Sequence, residues 1–267
     1  WIRMEKNKAN GSKKMNMILF KPQTAYRVRW NMNTDTPLPQ EEPAGQNPPE
    51  GAIINYYLDT NVTNISMEIF DSKGTIIRKY TNNDTLYKIP DLNIPLYWIR
   101  PQQILSVEAG SHRFMWDMRY TPLNVPPSYP MSAIYKNTAP SPTSPWVMPG
   151  SYTVRLTVDR KQFTQILNIK MDPRVKTGEI DLQLQHDLSL TCYMNIKKCR
   201  SALREIVEKK NDKFSEIEKE FTKYLRAFTS LHNLLQQSDI PPTSQMVSAF
   251  KDSEKEFEKT WAKWNSK

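Results

Sequence analysis

The chain has 267 residues, with 37 Lys and Arg against 28 Asp and Glu, 20 prolines, 7 glycines and two cysteines. The net charge of +9 divides as +3, +4 and +2 over residues 1–50, 51–175 and 176–267. No segment gathers the basic stripe that nucleic acid requires, and a nucleic-acid role is excluded on that ground. No apolar run approaches the ~18 residues of a membrane helix, so no membrane span is expected. The chain starts at Trp1 with no visible signal peptide; this reads as a cut in a longer protein, and the missing leader says nothing about export.

Residues 15–20 (Met-Asn-Met-Ile-Leu-Phe) and 26–30 (Tyr-Arg-Val-Arg-Trp) are strand-like. The second run alternates, placing Tyr26, Val28 and Trp30 on one face. Residues 31–50 are a Pro/Glu/Gln/Asn linker without periodicity. From 51 to 172 the period is two. Strands are predicted over 52–58, 65–70, 75–80, 112–118, 152–158 and 163–171. Asp71-Ser72-Lys73-Gly74 reads as a hairpin turn in which the glycine takes a positive φ. Asp159-Arg160-Lys161 is a second short turn. About seven short strands joined by hairpins predict an antiparallel sandwich with Trp116 plugging its core.

After Asp172-Pro173 the period becomes helical. Thr177 is the expected N-cap of a first helix, with Leu184, Leu188, Cys192, Ile196, Cys199, Leu203 and Ile206 as its apolar stripe. Phe214, Ile217, Phe221, Tyr224, Phe228, Leu231 and Leu235 give a second helix its 3-4 spacing. Ser238–Pro242 breaks that pattern. Thr243 caps a third helix with Val247, Phe250, Phe257, Trp261 and Trp264. Three amphipathic helices in series predict an antiparallel up-down-up bundle. Cys192 and Cys199 lie two helical turns apart, about 10.5 Å along the axis. That exceeds the ~7 Å limit for a disulfide, and both read as small core residues.

Three segments carry a resemblance: Ile65-Ser66-Met67-Glu68-Ile69-Phe70-Asp71-Ser72-Lys73-Gly74, Ala109-Gly110-Ser111-His112-Arg113-Phe114-Met115-Trp116-Asp117, and Met148-Pro149-Gly150-Ser151-Tyr152-Thr153-Val154-Arg155-Leu156. Their order resembles the FlgD-type immunoglobulin-like fold. Leu19-Phe20-Lys21-Pro22, Asn47-Pro48-Pro49-Glu50-Gly51-Ala52 and Lys170-Met171-Asp172-Pro173-Arg174-Val175 extend the likeness. With them, nearly the whole chain is similar to the C-terminal region of bacterial sortilin/VPS10-like, BNR-repeat β-propeller proteins. These are common in Bacteroidetes and often labelled glycosyl hydrolase-like. The resemblance implies an α+β multidomain chain. Residues 1–45 would be the remnant of a propeller blade and a linker, 46–175 an immunoglobulin-like β-sandwich, and 176–267 a three-helix bundle. It also implies an exported protein, periplasmic, cell-surface or secreted, whose upstream propeller is the first partner.

No catalytic motif accompanies these elements. His112, His186 and His232 lie on separate predicted elements without metal-ligand spacing. His186 and Asp187 are adjacent and expected to point apart, and surface positions are expected for the histidines. The carboxylates sit at turns, strand ends and a linker, where nothing brings two together in a cleft as glycoside hydrolysis requires. No metal site, cofactor or catalytic residue is expected within this chain; any hydrolase activity would reside in the parent protein. The stretch 119–149 is long for a loop and rich in Pro and aromatics. Tyr120, Tyr129, Tyr135 and Trp146 are its candidate ligand-binding residues, as a stacking face for a glycan or an anchor for a protein partner. The favoured reading is plainer, that they pin the loop onto the sandwich or onto the upstream propeller. Tyr87, Tyr97 and Trp98 form a second aromatic group of the same kind. The reading is a non-catalytic structural and interaction module, self-associating or docking a protein. The alternative is a carbohydrate-binding accessory module.

Overall fold

The computed structural model describes residues 17–29, 41, 43, 45, 50–92, 94–129, 137–209 and 212–266. Eight strands are described: β1 Met17–Leu19, β2 Ala25–Arg27, β3 Ala52–Leu58, β4 Ile65–Phe70, β5 Ile76–Thr81, β6 Gly110–Trp116, β7 Gly150–Val158 and β8 Lys161–Met171. Helices α1 Glu179–Lys209, α2 Ser215–Leu235 and α3 Ser244–Asn265 follow.

The strands form two sheets, β1-β3-β6 and β2-β8-β7-β4-β5. Alternation sets the buried face. In β3, Ala52, Ile54, Tyr56 and Leu58 are buried, and in β7, Tyr152, Val154, Leu156 and Val158. Both pack with Trp116, Ile65, Met67 and Ile69 in one apolar core. The β4–β5 hairpin turns as expected. Asp71 Oδ1 accepts the Lys73 and Thr75 amides at 2.9 and 2.8 Å, and Gly74 takes φ 81°.

The expected immunoglobulin-like antiparallel sandwich followed by an antiparallel three-helix bundle does not form. The structure is α+β with a three-stranded and a five-stranded sheet, one of them curled into a half-barrel. The five-stranded sheet is mixed, because β2 pairs parallel to β8, Ala25 opposite Ile169 and Arg27 opposite Met171. The Asp172 amide continues this pairing to Arg27 O at 3.3 Å. Period-two patterning fixes which residues of a strand share a face, but not the partner strand or its direction. The face expected for residues 26–30 is also reversed. Tyr26 is half exposed while Ala25 and Arg27 are buried, and Trp30 lies outside the described residues.

The helices pack in sequence, α1 on α2 and α2 on α3, without comparable backbone approach of α1 to α3. At 1.5 Å per residue α1 runs about 46 Å, against about 31 Å for α2. The surplus at the N-terminal end of α1 leaves the helical core and meets the segment after β6, where His186 reaches Tyr120, and the α2–α3 connection, where Gln185 donates to Ser238 O. The expected α1 stripe shifts there: Leu184 is exposed, while Leu182, Gln185 and Ser189 are buried. Further along, Cys192, Ile196, Cys199 and Ile206 share a core with Phe221, Phe228, Phe257 and Trp264. Thr243 caps α3, accepting the Met246 amide at 3.2 Å. Thr177 does not cap α1, which opens with Leu182 N bonded to Gly178 O. Its hydroxyl donates instead to Asp239 O at 2.5 Å. No helix among the described residues is long and apolar enough to cross a membrane.

Candidate functional site

The densest polar constellation lies where strands meet helices. The turn after β6 builds one side. Asp117 Oδ1 accepts the Arg119 amide at 3.1 Å, and the Trp116 indole donates to Arg119 O at 3.0 Å. Met118 takes φ 57°, a left-handed conformation that reverses the chain there. Arg119 then bridges to Trp146 in a short antiparallel contact. Tyr120 N donates to Pro145 O at 3.1 Å and Val147 N to Met118 O at 2.9 Å. The two ends of the 119–149 stretch are therefore closed against each other, and Tyr120 and Thr121 lie against α1, whose Tyr193 hydroxyl donates to Thr121 O at 2.6 Å.

Three guanidinium groups surround Trp146, at 5.7 Å (Arg27), 5.6 Å (Arg29) and 4.5 Å (Arg119) from its ring centroid. This geometry is cation–π, strengthened by desolvation. The helical side answers through the α2–α3 connection. Asp239 accepts Arg27 Nη2 at 2.8 Å and Arg29 Nε and Nη2 at 2.7 and 2.9 Å. Gln236 is a hub. Its Oε1 accepts Arg119 at 3.2 Å and the Trp146 amide at 3.1 Å, its Nε2 donates to Ser189 at 3.0 Å, and its carbonyl accepts Arg29 at 2.5 Å. Arg27 and Asp239 side chains are each 4% exposed. Burial lowers the pKa of Arg27 and brings that of Arg119 down to about 9, so the nearby carboxylates and the indole face are what keep these cations charged.

A second polar chain runs from α1. His186 Nδ1 lies 3.1 Å from Asp187 Oδ1, and its Nε2 lies 3.2 Å from the Tyr120 hydroxyl. A carboxylate only accepts, so Nδ1 carries the proton and Nε2 accepts from Tyr120. His186 and Asp187, expected to point apart, thus act together. The arrangement resembles a relay but is tuned the wrong way for a nucleophile. Burial lowers the His186 pKa and raises that of Tyr120 to about 12. The surface expectation also fails for His232, which is buried and held down to about 4 by desolvation. His112 is part-exposed and meets Glu108 O at 2.7 Å. Burial pushes the Cys192 and Cys199 thiols up to about 12, away from the reactive thiolate form.

The predicted aromatics separate. Tyr120 and Trp146 come together at the junction. Tyr120 is half buried, and Trp146 is 6% exposed beneath its arginines, so its faces are already occupied. Tyr129 sits beside Tyr87, and burial together with this neighbour raises the Tyr87 pKa. Tyr135 lies outside the described residues. Sequence reasoning missed Arg27, Arg29, Gln236 and Asp239. The signal was present in Arg27 and Arg29 alternating within the strand-like run 26–30 and in Ser238–Pro242 interrupting the helical pattern, but nothing in one dimension joins positions about 210 residues apart. Compared with protein-family models and with curated proteins, the chain matches none.

Proposed function

We propose that this chain is a non-catalytic structural and interaction module bracing the C-terminal end of an exported propeller protein, in the periplasm, at the cell surface or in the medium. The observation that supports this most is the junction of Arg27, Arg29 and Arg119 with Trp146, Gln236 and Asp239. It commits the chain's densest polar chemistry to holding strands and helices in one orientation. A rigid two-part body suits a brace or a docking platform. The tuning of Tyr120, Cys192 and Cys199 toward their protonated forms agrees with this reading. The propeller context rests on the likeness of residues 19–22, 47–52 and 170–175 to the ends of such proteins.

The test is to produce the chain and the parent propeller separately and mix them. Association by calorimetry, with no turnover of chromogenic glycosides by the chain alone, is the expected result. Glycoside hydrolysis by the isolated chain that disappears in His186→Gln overturns the proposal. Light scattering across a concentration series decides whether the platform pairs with itself.

A further inference from the structure

The strands and the helices bury their apolar residues in two separate clusters, one around Trp116 and Met67, the other around Phe221 and Phe257. The contacts of the junction cross from one to the other and are polar: Arg27, Arg29 and Arg119 on the strand side, Gln236 and Asp239 on the helical side. Such a seam is where a chain opens short of unfolding, because its bonds can be exchanged for water while each core stays shut.

His232 sits in that seam. It lies one helical turn before Gln236 on α2, and Gln236 N donates to His232 O at 3.0 Å. Its ring is buried, and its Nε2 has no hydrogen-bond partner among the described residues. Asn233 on its own helix is a side-chain partner, and the charge that acts on the ring is Arg119, a buried cation from across the seam. From α1, this end of α2 meets Gln185, Ser189 and Cys192, whose thiol stays protonated. The first turns of α3 supply Met246, Val247 and Phe250. None of these groups balances a proton on the ring, and Asp239 is already held by Arg27 and Arg29. His186, the other histidine of the junction, faces Tyr120 and Arg27 but has Asp187 Oδ1 at 3.1 Å from its Nδ1, a carboxylate that His232 lacks.

We infer that acid opens this seam, with His232 taking the proton that separates the helices from the strands while both keep their own cores. A proton there sets a second buried cation against Arg119 with no carboxylate to answer it. Opening the seam lets water reach the ring and relieves both charges. The closed ring titrates at about 4 and a solvated one near 6.5. The open form therefore binds the extra proton first, and the opening constant rises as pH falls below about 6.5 and levels off below about 4. From pH 7.5 to pH 5 the rise is about 30-fold. This deepens the bracing role proposed above: the brace is firm at neutral pH and loosens in acid, and only that use of the device rests on the bracing reading.

Amide hydrogen exchange of the whole chain, followed by NMR at pH 7.5 and pH 5 and corrected for intrinsic rates, tests it. The Trp146 amide donates to Gln236 Oε1 at 3.1 Å across the seam, so it exchanges when the seam opens. Val154 and Phe228 lie in the two cores and exchange only when those open. Trp146 should be protected less than either, and its protection should fall about 30-fold between the two pH values. His232→Gln, which cannot take the proton, should hold that fall to about threefold or less; if this variant does not fold, His232→Leu takes its place. Trp146 protection that is the same at both pH values overturns the inference, as does a full-sized fall in the His232 variant. Trp146 protection equal to that of Val154 and Phe228 at both pH values also overturns it, since the seam then opens only with the whole chain. Association with the propeller is measured separately by calorimetry, so failure of the bracing reading and failure of this inference are distinct results.

Discussion

Replacing Asp239 by alanine removes the single carboxylate that two arginines share. Arg27 would then be a cation with 4% of its side chain exposed and its Nη2 bond of 2.8 Å gone. Besides the Trp146 ring it keeps a hydrogen bond to Val147 O at 2.9 Å, and its Nε has no hydrogen-bond partner among the described residues. Arg29 is 24% exposed and can turn to water, so its lost bonds count for less. Breaking a buried ion pair from one side costs about 3–5 kcal/mol, because the surviving charge keeps its desolvation penalty. Arg27 dominates, so Asp239→Ala should lose about that amount, a fall of roughly 5–9 °C in thermal midpoint for a chain of this size. Differential scanning calorimetry and urea unfolding followed by tryptophan fluorescence measure it, with Trp146 as a reporter inside the junction. Replacing both partners, as in Arg27→Met with Asp239→Leu, should recover most of the loss, since an apolar pair leaves no stranded charge. A drop of less than about 1 kcal/mol in Asp239→Ala would refute the claim that this pair anchors the helices to the strands.

Other perturbations follow from the same geometry. Gly51 has φ 112°, and a β-carbon there would sit well inside contact distance of Trp116 O. Gly51→Ala should therefore destabilise by about 2 kcal/mol or more, read as a shifted urea midpoint. His232 is buried and neutral with its pKa held down to about 4. The unfolded chain, titrating near 6.5, binds the extra proton first as pH falls, so stability is complete above that value and is lost through the window from about 6.5 to 4. The full effect is on the order of 3 kcal/mol, and His232→Gln should flatten the slope of urea midpoint against pH over that interval. Cys192 and Cys199, fully buried with pKa near 12, should resist a thiol reagent in the native state and both react once urea unfolds the chain.

Much of the local structure was legible in one dimension because it depends on near neighbours. The alternation of β3, β4, β6 and β7, the Asp71–Gly74 turn, the stripe from Ile217 to Leu235 and the Thr243 cap each involve residues only a few positions apart. The candidate site was legible only as a list of aromatics. Whether Trp146 offered a face to a ligand depended on arginines more than 100 residues upstream, and on an acceptor, Asp239, that the pattern marked merely as a helix break.

Residue order alone determined where strands and helices form and which side of most of them is apolar, since backbone geometry ties side-chain direction to a period of two or 3.6. Tertiary structure decided the rest. It laid β2 parallel to β8, turned Arg27 inward instead of Tyr26, and extended α1 beyond its neighbours to the segment after β6. It also set Asp239 against Arg27 and Arg29. The reason is that burial of a charge is settled by whether a partner arrives from elsewhere in the chain. Arg27 reads as a solvated residue until the α2–α3 connection brings a carboxylate to it.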